Sequence, residues 1–237
     1  MNQRDLVPAN QLAQQSGVKG IFYGPPGSGK TPLIETAQRP FMLVCEPGML
    51  SMRQSRVPCY AAPDGKRIGE FFDWLFQSRE VDQFDTVGID SGSELAEIIL
   101  REKFAVNKDG RKAYGEMSKQ CTDWFDGLYH LKRKHVYIIC KQSALETVST
   151  SFIGGVPTIT TNRRVQPYFP GQDLPMKVSH KYDLVCQVNK GPIPGVTGEW
   201  PYFRCKGSDT ITARDRSGKL DEFEEPNLTK LFAKAMS

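Results

Sequence analysis

Eight consecutive residues, Gly24-Pro25-Pro26-Gly27-Ser28-Gly29-Lys30-Thr31, match the spacing GxxxxGK[ST]. Glycines at these positions let a loop wrap closely, so that successive backbone N–H groups point at phosphate oxygens. Lys30 adds a point charge at the β- and γ-phosphates, and the Thr31 hydroxyl is placed to ligate magnesium. The chemistry this predicts is binding of ATP with Mg2+. A glycine-rich turn with a chance lysine is the alternative. The flanks argue against it, because an apolar run precedes the loop and a helix-forming stretch follows.

A phosphate loop needs a second acid for its metal. Asp90 ends the apolar run Thr86–Ile89 and is the candidate; capping the next helix together with Ser91 is a second role that can coexist with the first. Asp85 precedes the same run and belongs at the opposite edge of the sheet. Hydrolysis further needs a group that orients or deprotonates water. Glu46 follows the strand-like run Phe41–Cys45 at the carboxyl edge, where ligands gather in such sheets. It is the candidate base, with a solvated loop glutamate as the alternative. Gln142, just beyond VYIICK, is similarly placed to sense the γ-phosphate, or else is an ordinary polar strand end.

The elements that position these residues alternate. Lys19–Tyr23 and Phe41–Cys45 are continuous apolar runs that fit strands buried on both faces of a parallel sheet. Lys30–Ala37 is predicted to be helical, as are Gly69–Gln77, Ser93–Phe104 with an N-cap serine, and about Tyr114–Lys132 after the polar break Asn107–Lys112. Val136–Cys140 is the next strand. Strands alternating with helices predict right-handed βαβ units, with helices on both faces of a mainly parallel sheet. Ser143–Lys177 is rich in Thr, Ser, Gly and Pro with weak periodicity, and predicts a long mobile loop. Asp183–Val188, Tyr202–Cys205 and Thr210–Ala213 read as strands with Gly/Pro turns, and Leu228–Met236 as a closing helix.

The 237 residues suit one α/β domain, and 39% hydrophobic with 24% charged residues exclude a disordered chain. A formal charge of +4 permits a polyanion partner without requiring one. The six cysteines show no CxxC pairing, and buried reduced thiols are expected. Three scattered histidines give no zinc spacing. The first residues lack the apolar core of a signal peptide and no run of about 18 apolar residues occurs, so a cytosolic protein without membrane contact is expected.

Taken together, GPPGSGKT, VCEPG, VGIDS and the polar residue after VYIIC resemble the RecA-like core ATPases. Within them, the chain is similar to small phage-encoded nucleotide-binding proteins that include single-strand annealing recombinases. YDLVCQV, a hairpin and ITARDRSGKLDE resemble the closing element of that family. The resemblance implies a RecA-like P-loop fold with a C-terminal β-hairpin region, ATP and Mg2+, and rings or filaments with nucleotide between subunits. It also implies DNA contacts from two loops. The first maps to Asn107–Lys112, with Lys108, Arg111 and Lys112. The second falls within Ser143–Arg164, where Arg163 and Arg164 would meet phosphates and Phe152, or Tyr168 beyond it, would stack on bases. Arg214 and Arg216 are candidates to reach a neighbour's γ-phosphate, or else form surface ion pairs with Asp215 or Glu222.

The leading function is thus a DNA-stimulated ATPase of phage recombination that binds and pairs single strands in the host cytoplasm, with a single-strand-binding protein as a further partner. A nucleotide-switched loading module for a replication protein is the alternative, followed by a small-molecule kinase, which the scattered arginines disfavour.

Overall fold

The computed structural model describes residues 7–9, 11, 15–153 and 156–237, excepting the side chains of 147, 149–153 and 156–160. Its strands form one sheet. The parallel part runs in the order β7 (Leu184–Pro192), β1 (Lys19–Gly24), β5 (His135–Ile153), β4 (Thr86–Asp90), β2 (Pro40–Val44), β3 (Cys59–Ala61). On the β7 side, β8 (Glu199–Arg204), β9 (Arg214–Asp215) and β10 (Phe223–Glu224) add antiparallel pairings, so β7 and β8 form the C-terminal hairpin. This mainly parallel sheet, with helices on both faces and the phosphate loop after β1, is the α/β architecture that the alternation of strands and helices predicted.

Every residue of β1 is buried, as a strand covered on two faces requires. Its alternation sends Ile21 and Tyr23 to one core and Phe22 to the other. The first core is roofed by α1 (Gly65–Gln77), α2 (Gly92–Val106), α3 (Gly110–His130) and α4 (Asp173–Lys181). Their apolar stripes meet the sheet through Phe71 and Phe72, Leu95 and Ile99, Cys121 and Phe125, and Leu174 and Val178. The second core is thinner. Phe22 lies there against Tyr137, Phe203 and Phe232, the last from α5 (Leu228–Ala235), and Ile34 closes it beside the phosphate loop.

Three local expectations are corrected. The stretch after Lys30 forms only a 3-10 turn, Thr31–Thr36, rather than a helix to Ala37. Thr36 Oγ1 donates to the Leu33 carbonyl at 2.6 Å and accepts from Leu228 N, so side chain and C-terminal helix together take over the groups that a longer helix would use. The cap of α2 is Ser91, whose hydroxyl accepts from Glu94 N; Ser93 instead donates to the Tyr168 carbonyl and accepts from Lys141 N. Thr210–Ala213 is not a strand, and only an isolated bridge joins Ile211 to Val165.

The largest difference is in Ser143–Lys177, where a loop was expected. There β5 continues to Ile153 and pairs antiparallel with β6 (Val156–Pro167) from Gln142↔Pro167 to Ile153↔Val156. Of its described residues beyond Gln142, most are exposed, so no buried face imposes an apolar alternation, and the period-2 signal that marks a half-buried strand is missing. α4 then follows.

The amino edge of the sheet holds a histidine that the fold keeps neutral. His135 Nδ1 accepts from Val18 N at 3.0 Å and its ring stacks on Phe232, 4.6 Å between centroids. Burial, helped by the Lys19 charge, pulls its pKa down to about 4. Because the folded-state value lies below the unfolded one, the contribution is present above about pH 6.5 and is lost as pH falls through about 4, up to about 3 kcal/mol in all. His135→Phe is therefore expected to be less stable at pH 7.5, where Val18 N loses its acceptor, yet to show a flatter stability profile between pH 6.5 and 4. Chemical denaturation across that range checks this, and parallel profiles for the two proteins would assign the acid sensitivity elsewhere.

Candidate nucleotide site

Gly24 ends β1, and the loop after it turns through Gly27 (φ 76°) and Gly29 (φ 83°), conformations that L side chains rarely adopt. Gly24 is needed for a different reason. A Cβ there would lie 2.1 Å from the Val188 carbonyl oxygen of β7, so a side chain would drive the loop off its neighbouring strand. Lys30 Nζ donates to the Gly24 and Pro25 carbonyls at 2.9 and 2.8 Å. The buried Tyr137 hydroxyl donates to the Lys30 carbonyl at 2.7 Å, tying the start of the 3-10 turn to β5. Burial lowers the Lys30 pKa, against the opposing pull of Asp90 and Glu46.

The strand order brings the carboxylates to the loop. β4 ends in Asp90, whose Oδ2 accepts from Thr31 Oγ1 at 2.7 Å. Two hard oxygen donors side by side next to a phosphate loop are the kind of ligand set magnesium takes, so the residues present fit the ion. Burial raises the Asp90 pKa to about 6, with Glu46 adding to the rise and the Thr31 hydrogen bond and Lys30 opposing it. Glu46, just past β2, is half-buried and accepts from Ser91 Oγ at 2.5 Å. Ser91 therefore caps α2 and grips Glu46 at once. Gln142 Oε1 accepts from Gln187 Nε2 of β7 at 3.0 Å. Gly24 to Thr31 in part, Glu46, Asp90, Ser91 and Gln142 line one cavity of about 610 Å³. It can hold a triphosphate along the loop, a divalent ion between Thr31 and Asp90, and a water within reach of Glu46.

Sequence reasoning missed Ser91 as a partner of Glu46, Lys141 and Gln187. Lys141 pairs with Glu94 and Glu97 of α2 at 2.7 and 2.8 Å, which raises its pKa and ties the end of the nucleotide strand to that helix. Gln187 had a legible signal, since it directly follows the apolar run LVC, much as Gln142 lies just beyond VYIICK. Asp85 lies at the far edge as expected, bridged to Arg39 at 2.6 Å.

The candidate DNA residues do not share one environment. Lys108, Arg111 and Lys112 are exposed at the start of α3, with Lys112 3.8 Å from Glu116. Tyr114, two residues on, lies against Gly171, close enough that a Cβ on Gly171 would be 3.3 Å away. That brings this end of α3 to the segment following the ribbon. Arg163 and Arg164 are exposed on β6, opposite Glu146 and Leu145 respectively. The Phe152 side chain lies outside the described residues. Tyr168 is half-buried, and its N donates to the Lys141 carbonyl.

Arg214 and Arg216 stand away from the cavity of their own chain. Arg214 pairs in register with Val185, itself opposite Ile21 of β1, short of the phosphate loop. The expected ion pairs with Asp215 or Glu222 are replaced. Arg214 Nη1 donates to the His180 carbonyl at 2.9 Å, Arg216 meets Asp183 at 3.4 Å and the Tyr129 hydroxyl at 3.0 Å, and Glu222 is taken by Arg204 at 2.9 Å. Asp215 accepts from Ser217 and Leu220 amides, which closes the turn after β9.

A buried carboxylate of raised pKa, held for a metal, costs stability when no metal neutralises it. Asp90→Asn is expected to raise the melting temperature of the metal-free protein by about 3–6 °C, corresponding to roughly 1–2 kcal/mol, while abolishing Mg2+-dependent nucleotide turnover. Thermal unfolding with and without Mg2+ and nucleotide measures both effects, and a lower melting temperature in the variant would contradict the burial argument.

Among solved structures, the chain is similar to a KaiC-like protein from Pyrococcus horikoshii OT3 (9% identity, TM-score 0.42, covering 79% of this chain and 77% of that one). It is similar also to the flagellar accessory protein FlaH of Methanocaldococcus jannaschii (10%, 0.41, 80% and 78%) and to the RadB recombinase (14%, 0.45, 85% and 91%). No curated protein matches it. No helix of the described residues is long and apolar enough to cross a membrane. The AAA domain family model matches residues 16–217, from the residues just before β1 to the turn after β9 and including the phosphate loop and every acid around it, and the chain belongs to that family of P-loop ATPases.

Proposed function

We propose that this protein is a magnesium-dependent ATPase that acts on single-stranded DNA in phage recombination, promoting the annealing or pairing of strands. The observation that carries the reading is the continuity of β5. Its residues Cys140, Lys141 and Gln142 line the nucleotide cavity, and the same strand runs on without interruption as one arm of the exposed ribbon. A nucleic acid held on the ribbon and a phosphate in the cavity would therefore act on one rigid element, which is how occupancy at one site becomes sensitive to the other.

In this reading the amides of Gly27–Thr31 and the Lys30 charge hold the β- and γ-phosphates. Glu46 takes a proton from the attacking water, and Ser91 keeps that carboxylate turned toward the cavity. Gln187 occupies the carbonyl oxygen of the Gln142 amide, which leaves the amide N–H groups for a γ-phosphate oxygen. Thr31 and Asp90 would hold magnesium, which would supply neutralisation of the charge that builds on the phosphates. Assembly into a ring or filament would bring Arg214 or Arg216 of one subunit toward the nucleotide of the next. Lys108, Arg111, Lys112, Arg163 and Arg164 would contact DNA phosphates.

The first test is steady-state ATP hydrolysis with no DNA, with a single-stranded oligonucleotide and with duplex of equal length, at two salt concentrations. Stimulation selective for single strands is the expected result. Hydrolysis indifferent to DNA would move the protein to a nucleotide-switched loading role. Lys30→Ala should abolish turnover, whereas Glu46→Gln should retain ATP binding and lose about 10²–10⁴ in rate; normal turnover in the glutamine variant would remove Glu46 from the base role. Mixing Arg214→Ala with Lys30→Ala subunits should restore part of the activity if Arg214 acts in trans, and no recovery at any ratio would make it structural.

A further inference from the structure

A second cavity, also of about 610 Å³, lies between the base of the ribbon and α4. None of its described lining residues is an aspartate or glutamate, although two arginines stand on it. Arg164 comes from β6 and Arg214 from β9. Arg164 makes no ion pair among the described residues, and its cross-strand partner is the apolar Leu145. Arg163 sits on the other face of the ribbon, opposite Glu146, so the two neighbouring arginines are electrostatically unlike. Arg214 has one N–H on the His180 carbonyl, and a guanidinium carries five. Uncompensated guanidinium donors converging on a cavity of nucleotide size call for an anionic ligand.

The rest of the lining says which kind. Leu145 and Met176 are 49% and 61% exposed, large apolar side chains held open beside the cations. A thioether and a leucine beside a cationic rim suit the flat face of a nucleobase. Ser179 of α4 and Gln166 of β6 add hydroxyl and amide groups that can meet base edges. The cavity is continuous with the ribbon, since Leu145, Arg164 and Gln166 belong to both.

We infer that this cavity seats one nucleotide unit of a bound single strand, its phosphate against Arg164 and Arg214 and its base against Met176 and Leu145. The inference rests on the single-strand reading above and adds to it a pocket that unstacks one base beside the ribbon. The same chemistry is offered by a free mononucleotide, and the experiment separates the two.

Binding of a fluorescein-labelled oligo-dT is followed by anisotropy across a salt series for the wild type, Met176→Glu, Met176→Gln and Arg164→Ala, with dTMP as competitor. Met176 is exposed, so its substitutions leave the core untouched. Met176→Glu should weaken binding at least about tenfold while DNA-independent ATP hydrolysis stays at the wild-type rate, Met176→Gln should stay within about threefold, and Arg164→Ala should flatten the log–log salt dependence by about one contact. Unchanged oligonucleotide binding by Met176→Glu would overturn the pocket and leave the single-strand reading standing. Absence of oligonucleotide binding by the wild type would overturn both. An effect of dTMP at micromolar concentration that is lost in Met176→Glu, with oligonucleotide affinity itself insensitive to that substitution, would assign the cavity to a free nucleotide and overturn the strand assignment.

Discussion

The 2.7 Å hydrogen bond from Thr31 to Asp90 joins the loop after β1 to the end of β4 across the one strand, β5, that lies between them. With neighbouring strands about 4.8 Å apart, the phosphate loop and the acid end up on either side of the strand between them, near enough for their side chains to close the gap over it. The intervening strand then delivers Lys141 and Gln142 into the same cavity.

Around that constraint the site is held by side chains that each do two things. Ser91 caps α2 and restrains Glu46; Ser93 links the Lys141 amide to the Tyr168 carbonyl; Tyr137 packs against Phe22 and fixes the Lys30 carbonyl. The result is a rigid floor beneath a loop whose following turn is kept short by Thr36. Rigidity of this kind places polar groups in advance of the ligand, which is where electrostatic stabilisation by a protein is largest. The cost is visible at Asp90, whose carboxylate is kept in a buried position that burial alone disfavours.

The ribbon and the C-terminal strands extend the same sheet away from the nucleotide. β7 ties the two ends together, since Gln187 reaches Gln142 while Leu184 and Val185 pair with β9 and so place Arg214. The basic residues therefore divide by what faces them. Arg216 pairs with Asp183 and Arg204 with Glu222, whereas Arg164 makes no ion pair among the described residues.

Much of this was legible from residue order alone. That the Gly24–Thr31 loop, Asp90, Glu46 and Gln142 gather on one side of the sheet could be expected because each follows a continuous apolar run, and the end of such a run is a place that one-dimensional pattern marks well. Helix α1 and the closing helix α5 announced themselves by the spacing of Phe71, Phe72 and Leu75 and of Leu228, Leu231 and Phe232. What pattern could not mark was whatever depends on partners distant in the chain. Most described residues of the β5–β6 ribbon are exposed and impose no alternation, the short turn after Thr31 is ended by contacts with residues 228 and 229, and the pairing of Arg216 with Asp183 rather than Asp215 follows from β9 crossing onto β7. Local sequence determined which residues could bind phosphate and metal, since their chemistry and their strand ends are local. Tertiary structure alone decided which cations stayed unpaired, because that depends on which acids the sheet brings beside them.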